Sequence, residues 1–226
     1  NGERIIKKAP FRMPHQSASL EGFIGGGLQC RPGEVSLAHN GVLFLDEAAE
    51  FKSTVLQSLR VPLEEGKVTL SRAGSHTVFP AQFQLLLASN PCPCGNFGVE
   101  DKICVCPPRS VELYWKKFSS PLLDRIDIRI PVLQRGSSLL SSRENSRSSI
   151  SLRTDIERAV KIQRKRQGKR NARLRPEEIA EYCSMTADVK DFLSVQSINL
   201  GFSSRAVHSC IKLARTIADM RGGANI

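Results

Sequence analysis

The chain reads as an α/β protein, a parallel-sheet core followed by a smaller all-helical module. Three observations lead there. Val42-Leu43-Phe44-Leu45 has the length and unbroken apolarity of a strand buried on both faces of a parallel sheet, and Phe83-Gln84-Leu85-Leu86-Leu87-Ala88-Ser89 is a second run of the same kind. Segments of helical period separate and follow these runs. From Thr154 onward the pattern is helical throughout, which sets off a C-terminal bundle. The 226 residues leave room for one sizeable core and a smaller second unit.

Charge divides the chain in the same place. Of the net +11, residues 1–133 carry 15 Lys and Arg against 13 Asp and Glu, and the remainder carries 18 against 9. A basic C-terminal module calls for a polyanionic partner such as nucleic acid, or is a solvated surface. No run has the length of a membrane span, and the polar start, Asn1 to Lys8, is not a secretory signal. Seven cysteines, an odd number, argue against a disulfide framework and for a cytoplasmic protein.

Residues 3–34 are dense in Gly, Pro and polar side chains, including Pro10-Phe11-Arg12-Met13-Pro14-His15 and Gly25-Gly26-Gly27. They predict loop and short hairpin, and His15 and His39 read as packing or hydrogen-bonding residues. The run Val42 to Leu45 then ends in Asp46-Glu47, placing two carboxylates at the carboxyl edge of the sheet, where open α/β sheets bind ligands. In phosphoryl transfer one carboxylate, here Asp46, would hold Mg²⁺ through water, and the other, Glu47, would orient or deprotonate the attacking water. The alternative is a strand that simply ends at the surface.

Ser53 fits the N-cap of a helix carrying Val55, Leu56 and Leu59 and stopping near Pro62. Two alternating runs, residues 66–72 and 76–80, flank a small-residue turn and predict a β-hairpin whose Lys67, Arg72 and His76 either meet an anion or are solvated. Asn90 follows the second buried run directly. On a strand beside Val42 to Leu45 it would reach the same edge as Glu47, with an amide able to hold the attacking water or a phosphate; otherwise Asn90-Pro91 is a turn.

Cys92, Cys94, Cys104 and Cys106 form two close pairs across a short loop, the pattern of a zinc tetrathiolate, although C-x-C is tighter than the usual C-x₂₋₄-C and small buried cysteines are common. After a helix around Leu113 to Phe118, Arg125 lies between Asp124 and Asp127, and Ile128-Arg129-Ile130 reads as a short strand. An arginine so placed is a structural ion pair or a cation offered to a neighbouring subunit's nucleotide. Residues 134–152 contain eight serines and read as a linker. Beyond it a helix from Thr154 carries the basic run Lys161, Arg164, Lys165, Arg166, Lys169, Arg170, Arg173 and Arg175, and Pro176-Glu177-Glu178 opens another with Pro at N1. In the last helix Val207, Ile211, Leu213, Ala214, Ile217 and Ala218 are the expected buried stripe, and Arg205 stands in the first turn, where an anion would suit it.

Taken together these segments resemble the magnesium-chelatase-like branch of AAA+ ATPases, and within it the family of the competence protein ComM and YifB. The matching text runs in order: Pro10 to His15, Arg31 to Glu47, Pro62-Leu63-Glu64, Ser71-Arg72, Asn90 to Gly95, Pro121 to Asp127 and Ser203-Ser204-Arg205. The resemblance implies a Walker B pair at Asp46 and Glu47, sensor 1 at Asn90, an arginine finger at Arg125 and sensor 2 at Arg205. It implies an AAA+ core over residues 1–133, a linker over 134–152 and a helical lid over 153–226. ATP and Mg²⁺ are the implied cofactors. A homo-oligomeric ring, most often a hexamer, and DNA are the implied partners, with branch migration in recombination of transformed DNA as the implied task.

One departure stands out. The sequence contains no G-x-x-x-x-G-K-S/T motif, whose backbone N–H groups and Lys would cradle the phosphates, and in the family that loop would precede Asn1. The expectation is therefore an N-terminally incomplete core that alone hydrolyses ATP poorly. Ala48-Ala49 also stands where relatives often carry Leu-Pro. Two other functions remain open on sequence: a non-catalytic basic module that binds nucleic acid, and a metal-chelatase motor subunit.

Overall fold

A computed structural model describes residues 8–72, 75–99, 102–132 and 148–226. The chain forms two compact units, Asn1–Arg125 and Ile126–Ile226.

The first unit opens with β1 (Phe11–Arg12), α1 (Leu20–Ile24), β2 (Gly25–Gly26), β3 (Arg31–Pro32) and α2 (Glu34–Leu37), and β2 and β3 make the short antiparallel hairpin expected of this Gly- and Pro-rich stretch. Next come β4 (Val42–Leu45), α3 (Ser53–Ser58), α4 (Arg60–Glu65), β5 (Lys67–Arg72), β6 (Ser75–Pro80) and β7 (Gln84–Leu87), and α5 (Pro108–Lys116) and α6 (Ser120–Leu123) complete the unit. Its central sheet has the order β1-β4-β7, with both pairings parallel. Gly41 permits the start of β4: a Cβ there would lie 1.9 Å from the carbonyl oxygen of Pro10, which accepts the Val42 N–H at 2.9 Å. On one face Leu43 and Leu45 are fully buried with Phe23, Val35, Phe51, Val55, Leu56, Leu59 and Leu122.

The other face is more open than the apolar runs predict. Phe44 is half-buried and covered by Phe11 at a ring distance of 6.2 Å, and Leu86 of β7 is 42% exposed. The expected hairpin is present as β5 and β6, paired in register from Lys67↔Pro80 to Arg72↔Ser75, with its tip, residues 73–74, outside the described residues. Pro62 does not stop a helix. It falls in the first turn of α4, where a missing N–H costs nothing, and Gly66 in the left-handed conformation ends that helix. Ser53 is the first residue of α3 and Lys52 holds the N-cap position.

The second unit contains α7 (Ser149–Gln167), α8 (Pro176–Tyr182), α9 (Ala187–Asn199) and α10 (Ser204–Arg221). Ile128, Arg129 and Ile130 pair with no strand among the described residues, so the expected strand there is absent. Residues 133–147, most of the expected linker, lie outside the described residues, and its last residues begin α7, capped by the Ser148 side chain accepting the Ser151 N–H at 3.2 Å. The buried face of α10 also departs from the apolar stripe. It is Ile211, Arg215 and Asp219, spaced by four, while Ile217 is 43% exposed.

Charge enters this core because it is matched there. Asp219 accepts from Arg166 at 2.6 Å, from Arg215 at 3.0 Å and from Asn171 at 2.8 Å, and Arg215 also donates to the carbonyls of Gly223 and Ala224. Leu174, Ile179, Cys183 and Ile211 pack beside this network. Among the described residues no helix is long and apolar enough to cross a membrane.

Candidate functional site

The parallel ladder between β4 and β7 runs from Val42↔Gln84 to Leu45↔Leu87. It continues past both strands, with Ala88 N–H donating to the Leu45 carbonyl at 3.0 Å and Ala48 N–H to the Ala88 carbonyl at 2.8 Å. Asp46-Glu47 and Ser89-Asn90 therefore leave the sheet side by side, at the carboxyl edge that parallel sheets use for ligands. All four residues are exposed.

Glu47 is held in the left-handed region, at φ 48° and ψ 44°, which is uncommon for a residue with a Cβ. Its N–H donates to Asp46 Oδ1 at 3.0 Å, and its carbonyl accepts the Glu50 N–H at 2.7 Å. That turn leaves the second Asp46 oxygen outside the local hydrogen bond and reverses the chain immediately after the acidic pair. Three side chains absent from the motif text hold the turn in place. Lys117 donates to the Ala49 carbonyl at 2.5 Å, Gln57 donates to the Lys117 carbonyl at 3.1 Å, and Ser119 donates to Gln57 Oε1 at 2.5 Å. Beneath Asn90, the buried Tyr114 places its hydroxyl 3.2 Å from Ser89 Oγ, and burial raises the phenol's pKa above its ordinary value. The sequence places Tyr114 only within a helix around Leu113 to Phe118, and nothing in the spacing singles out Lys117, Gln57 or Ser119.

Arg125, just after α6, donates to the Pro121 carbonyl at 2.6 Å and forms an ion pair with Glu64. Its side chain is only 14% exposed in that arrangement. Arg205 belongs to the second unit, in the first turn of α10, where the Ser203 hydroxyl caps the helix by accepting the Ala206 N–H at 3.1 Å. Of the eight cations in the basic run, Arg166 is committed to Asp219, and Lys169 and Arg175 to Glu178. Lys161, Arg164, Lys165, Arg170 and Arg173 remain exposed on the surface.

The sulfurs of Cys92, Cys94, Cys104 and Cys106 all lie within 4.8 Å of one another, a grouping that could hold a metal ion. Their thiols are driven apart in acidity. The Asn96 amide, then the Cys92 thiol, pull Cys94 down to about 6. The Cys94 amide favours the Cys106 thiolate as well, but desolvation and the three neighbouring sulfurs outweigh it and push Cys106 up to about 12.

Two family models account for most of the sequence: "Magnesium chelatase, subunit ChlI" matches residues 1–139, and "Magnesium chelatase, subunit ChlI C-terminal" matches residues 146–226. The chain belongs to the magnesium chelatase subunit ChlI family. This ChlI-family chain is 42% identical to the competence protein ComM of Haemophilus influenzae over 223 residues, covering 97% of its own length and 43% of ComM. It is 41% identical to the uncharacterized protein YifB of Escherichia coli over 225 residues, covering 97% of this chain and 44% of YifB. A shorter match, 29% identity over 87 residues, links 34% of the chain to 11% of the DNA replication licensing factor Mcm3 of Drosophila melanogaster. The chain thus spans less than half the length of these curated relatives. Family membership agrees with the AAA+-type α/β core and the helical C-terminal region seen here.

Proposed function

We propose that the β4/β7 edge is the hydrolytic face of an ATP-dependent AAA+ motor that works on DNA. One observation carries this reading: Asp46-Glu47 and Asn90 leave adjacent parallel strands at the same edge, with Glu47 locked in a turn that L-residues seldom adopt. The donor set fits Mg²⁺, which prefers hard oxygens and keeps several waters, because both carboxylates are exposed and Asp46 has one oxygen outside the local hydrogen bond. When bound, Mg²⁺ would supply charge neutralisation at the phosphates.

In this reading Asp46 would hold Mg²⁺ through water, and Glu47 aligns the attacking water and accepts its proton. Asn90 holds that water or the γ-phosphate through its amide. Arg125, released from Glu64, serves a neighbouring subunit of a homo-oligomeric ring, a hexamer in the family reading, and Arg205 meets the nucleotide from the lid. The exposed cations Lys161, Arg164, Lys165, Arg170 and Arg173 contact the DNA backbone, and branch migration is the task implied by the ComM resemblance. The name of Mcm3, a DNA replication licensing factor, links that protein to DNA and, by similarity, supports a DNA-linked role for this one.

The test uses the gene product that contains these residues. Glu47→Gln is expected to lower ATP turnover by roughly 10²–10⁴-fold, the usual worth of a general base, while nucleotide binding survives. Turnover at the unsubstituted rate would end the proposal. A second reading, a motor subunit for metal insertion, is favoured by the magnesium chelatase family models themselves. Assaying the same protein for Holliday-junction unwinding and for porphyrin metallation separates the two.

A further inference from the structure

The loop between β7 and α5 runs for twenty residues, 88–107, without a helix or strand among those described. Loops of this length in a compact unit ordinarily have a function or a staple. Apolar packing does not supply the staple here. Phe97, Ile103 and Val105 are 55%, 84% and 78% exposed, and Cys92 alone among the loop's described residues is buried. What the loop does bring together is sulfur.

Three of the separations, Cys92–Cys94 at 3.4 Å, Cys92–Cys104 at 3.7 Å and Cys94–Cys104 at 3.7 Å, form one triangular face, with Cys106 completing a set no wider than 4.8 Å. A tetrahedron built on Zn–S bonds of about 2.3 Å has sulfur edges of about 3.8 Å. A disulfide needs about 2.05 Å and joins sulfurs in pairs, whereas these four converge on one point. The dimensions also exclude a polynuclear iron–sulfur cluster, whose ligand sulfurs stand farther apart. The Phe97 N–H donates to Cys92 Sγ at 3.3 Å, the amide-to-sulfur hydrogen bond that supports thiolate ligands.

We infer that Cys92, Cys94, Cys104 and Cys106 bind one zinc ion, which closes the loop and fixes the Asn90-Pro91 segment at the sheet edge. The mechanical link is short. Asn90 stands two residues before the first ligand, and the Pro91 carbonyl between them accepts a hydrogen bond from Trp115 Nε1 at 3.0 Å. Trp115 rests on Tyr114 and Phe118, so the loop is pinned to α5 at one point and by the metal at another. The clasp goes beyond the proposed ATP chemistry and stands whether or not that reading holds.

Trp115 is the sole tryptophan and reports on the clasp directly. Protein purified under reducing conditions is expected to contain one zinc per chain by elemental analysis, released by a mercurial reagent. Replacement by Co²⁺ should give the sulfur-to-cobalt charge-transfer bands and intense visible bands of a tetrahedral tetrathiolate. Metal removal should red-shift Trp115 emission, and added Zn²⁺ should restore it. Cys94→Ser and Cys104→Ser should lose the metal, while Cys30→Ser and Cys210→Ser keep it. Should a ligand variant fail to fold, the cobalt spectrum of the unsubstituted chain decides alone. Iron in place of zinc, a Cys92–Cys94 disulfide by mass spectrometry, or a chain whose thiols react equally fast with and without Zn²⁺ would each overturn the assignment.

Discussion

Glu47 offers a comparison in which backbone strain and catalytic chemistry separate cleanly. Its left-handed backbone costs a residue with a Cβ roughly 1–2 kcal/mol, a cost that glycine does not bear. Glu47→Ala removes the carboxylate and keeps the strain, whereas Glu47→Gly removes both. In regular structure glycine is the less stable of that pair by roughly 0.5–1 kcal/mol, because its unfolded chain is freer. At residue 47 strain relief of about 1.5 kcal/mol outweighs a loss of about 0.75 kcal/mol at mid-range and leaves the glycine variant ahead by roughly 0.75 kcal/mol. The side chain is exposed, so truncation sacrifices little packing. With a urea slope of about 1–3 kcal/mol per molar, the glycine midpoint should exceed the alanine midpoint by about 0.2–1 M. Trp115 lies in the first unit and follows its unfolding separately from that of the second. An alanine midpoint equal to or above the glycine one would refute the strain argument. On the proposed function both variants should lose ATP turnover, so that the stability regained by glycine over alanine brings no activity with it.

Three further outcomes are expected. Asp219→Ala leaves Arg215, 1% exposed, without its carboxylate, and should destabilise the helical unit by about 3–5 kcal/mol, read by far-UV circular dichroism while the Trp115 transition stays put. Glu178 is lowered from 4.5 to about 2, first by the Lys169 hydrogen bond and then by the Arg175 N–H, so its contribution to stability is full above pH 4.5 and is lost as the pH falls through about 2. Thermal melts against pH should lose that acid limb in Glu178→Gln. Neutralising Lys161, Arg164 and Lys165 together should weaken DNA binding across sequences and flatten the salt dependence by about 0.9 in log–log slope for each phosphate that the protein ceases to neutralise, whereas neutralising the buried-network Arg166 should act through stability.

The sheet edge was readable because a short apolar run ending in polar residues constrains both the strand and its exit, and β4 and β7 sit as their text implies. Exposure is less legible in the sequence. An apolar run reports what a residue prefers, and Leu86 lies on a face with little covering it. Ile128-Arg129-Ile130 has strand propensity, but a strand also needs a partner, which propensity does not provide. Serine-rich text around residue 148 signals a linker and a helix cap equally well, and here Ser148 is the cap. The burial of Arg215 and Asp219 defeated the apolar-stripe rule because their neutralising partners are brought in by folding from Arg166 and Asn171, far away in sequence. The same limit hid Lys117, which joins the acidic turn from 68 residues downstream.

That last distance sets an order of events during synthesis. The strand bearing the acidic pair emerges from the ribosome long before the lysine whose ammonium fastens the following turn, and before the serine that steadies Gln57. A nascent chain stopped short of α5 would therefore hold Asp46 and Glu47 on a turn still without its anchor. The acidic pair would reach its final posture only when the last helices of that unit dock.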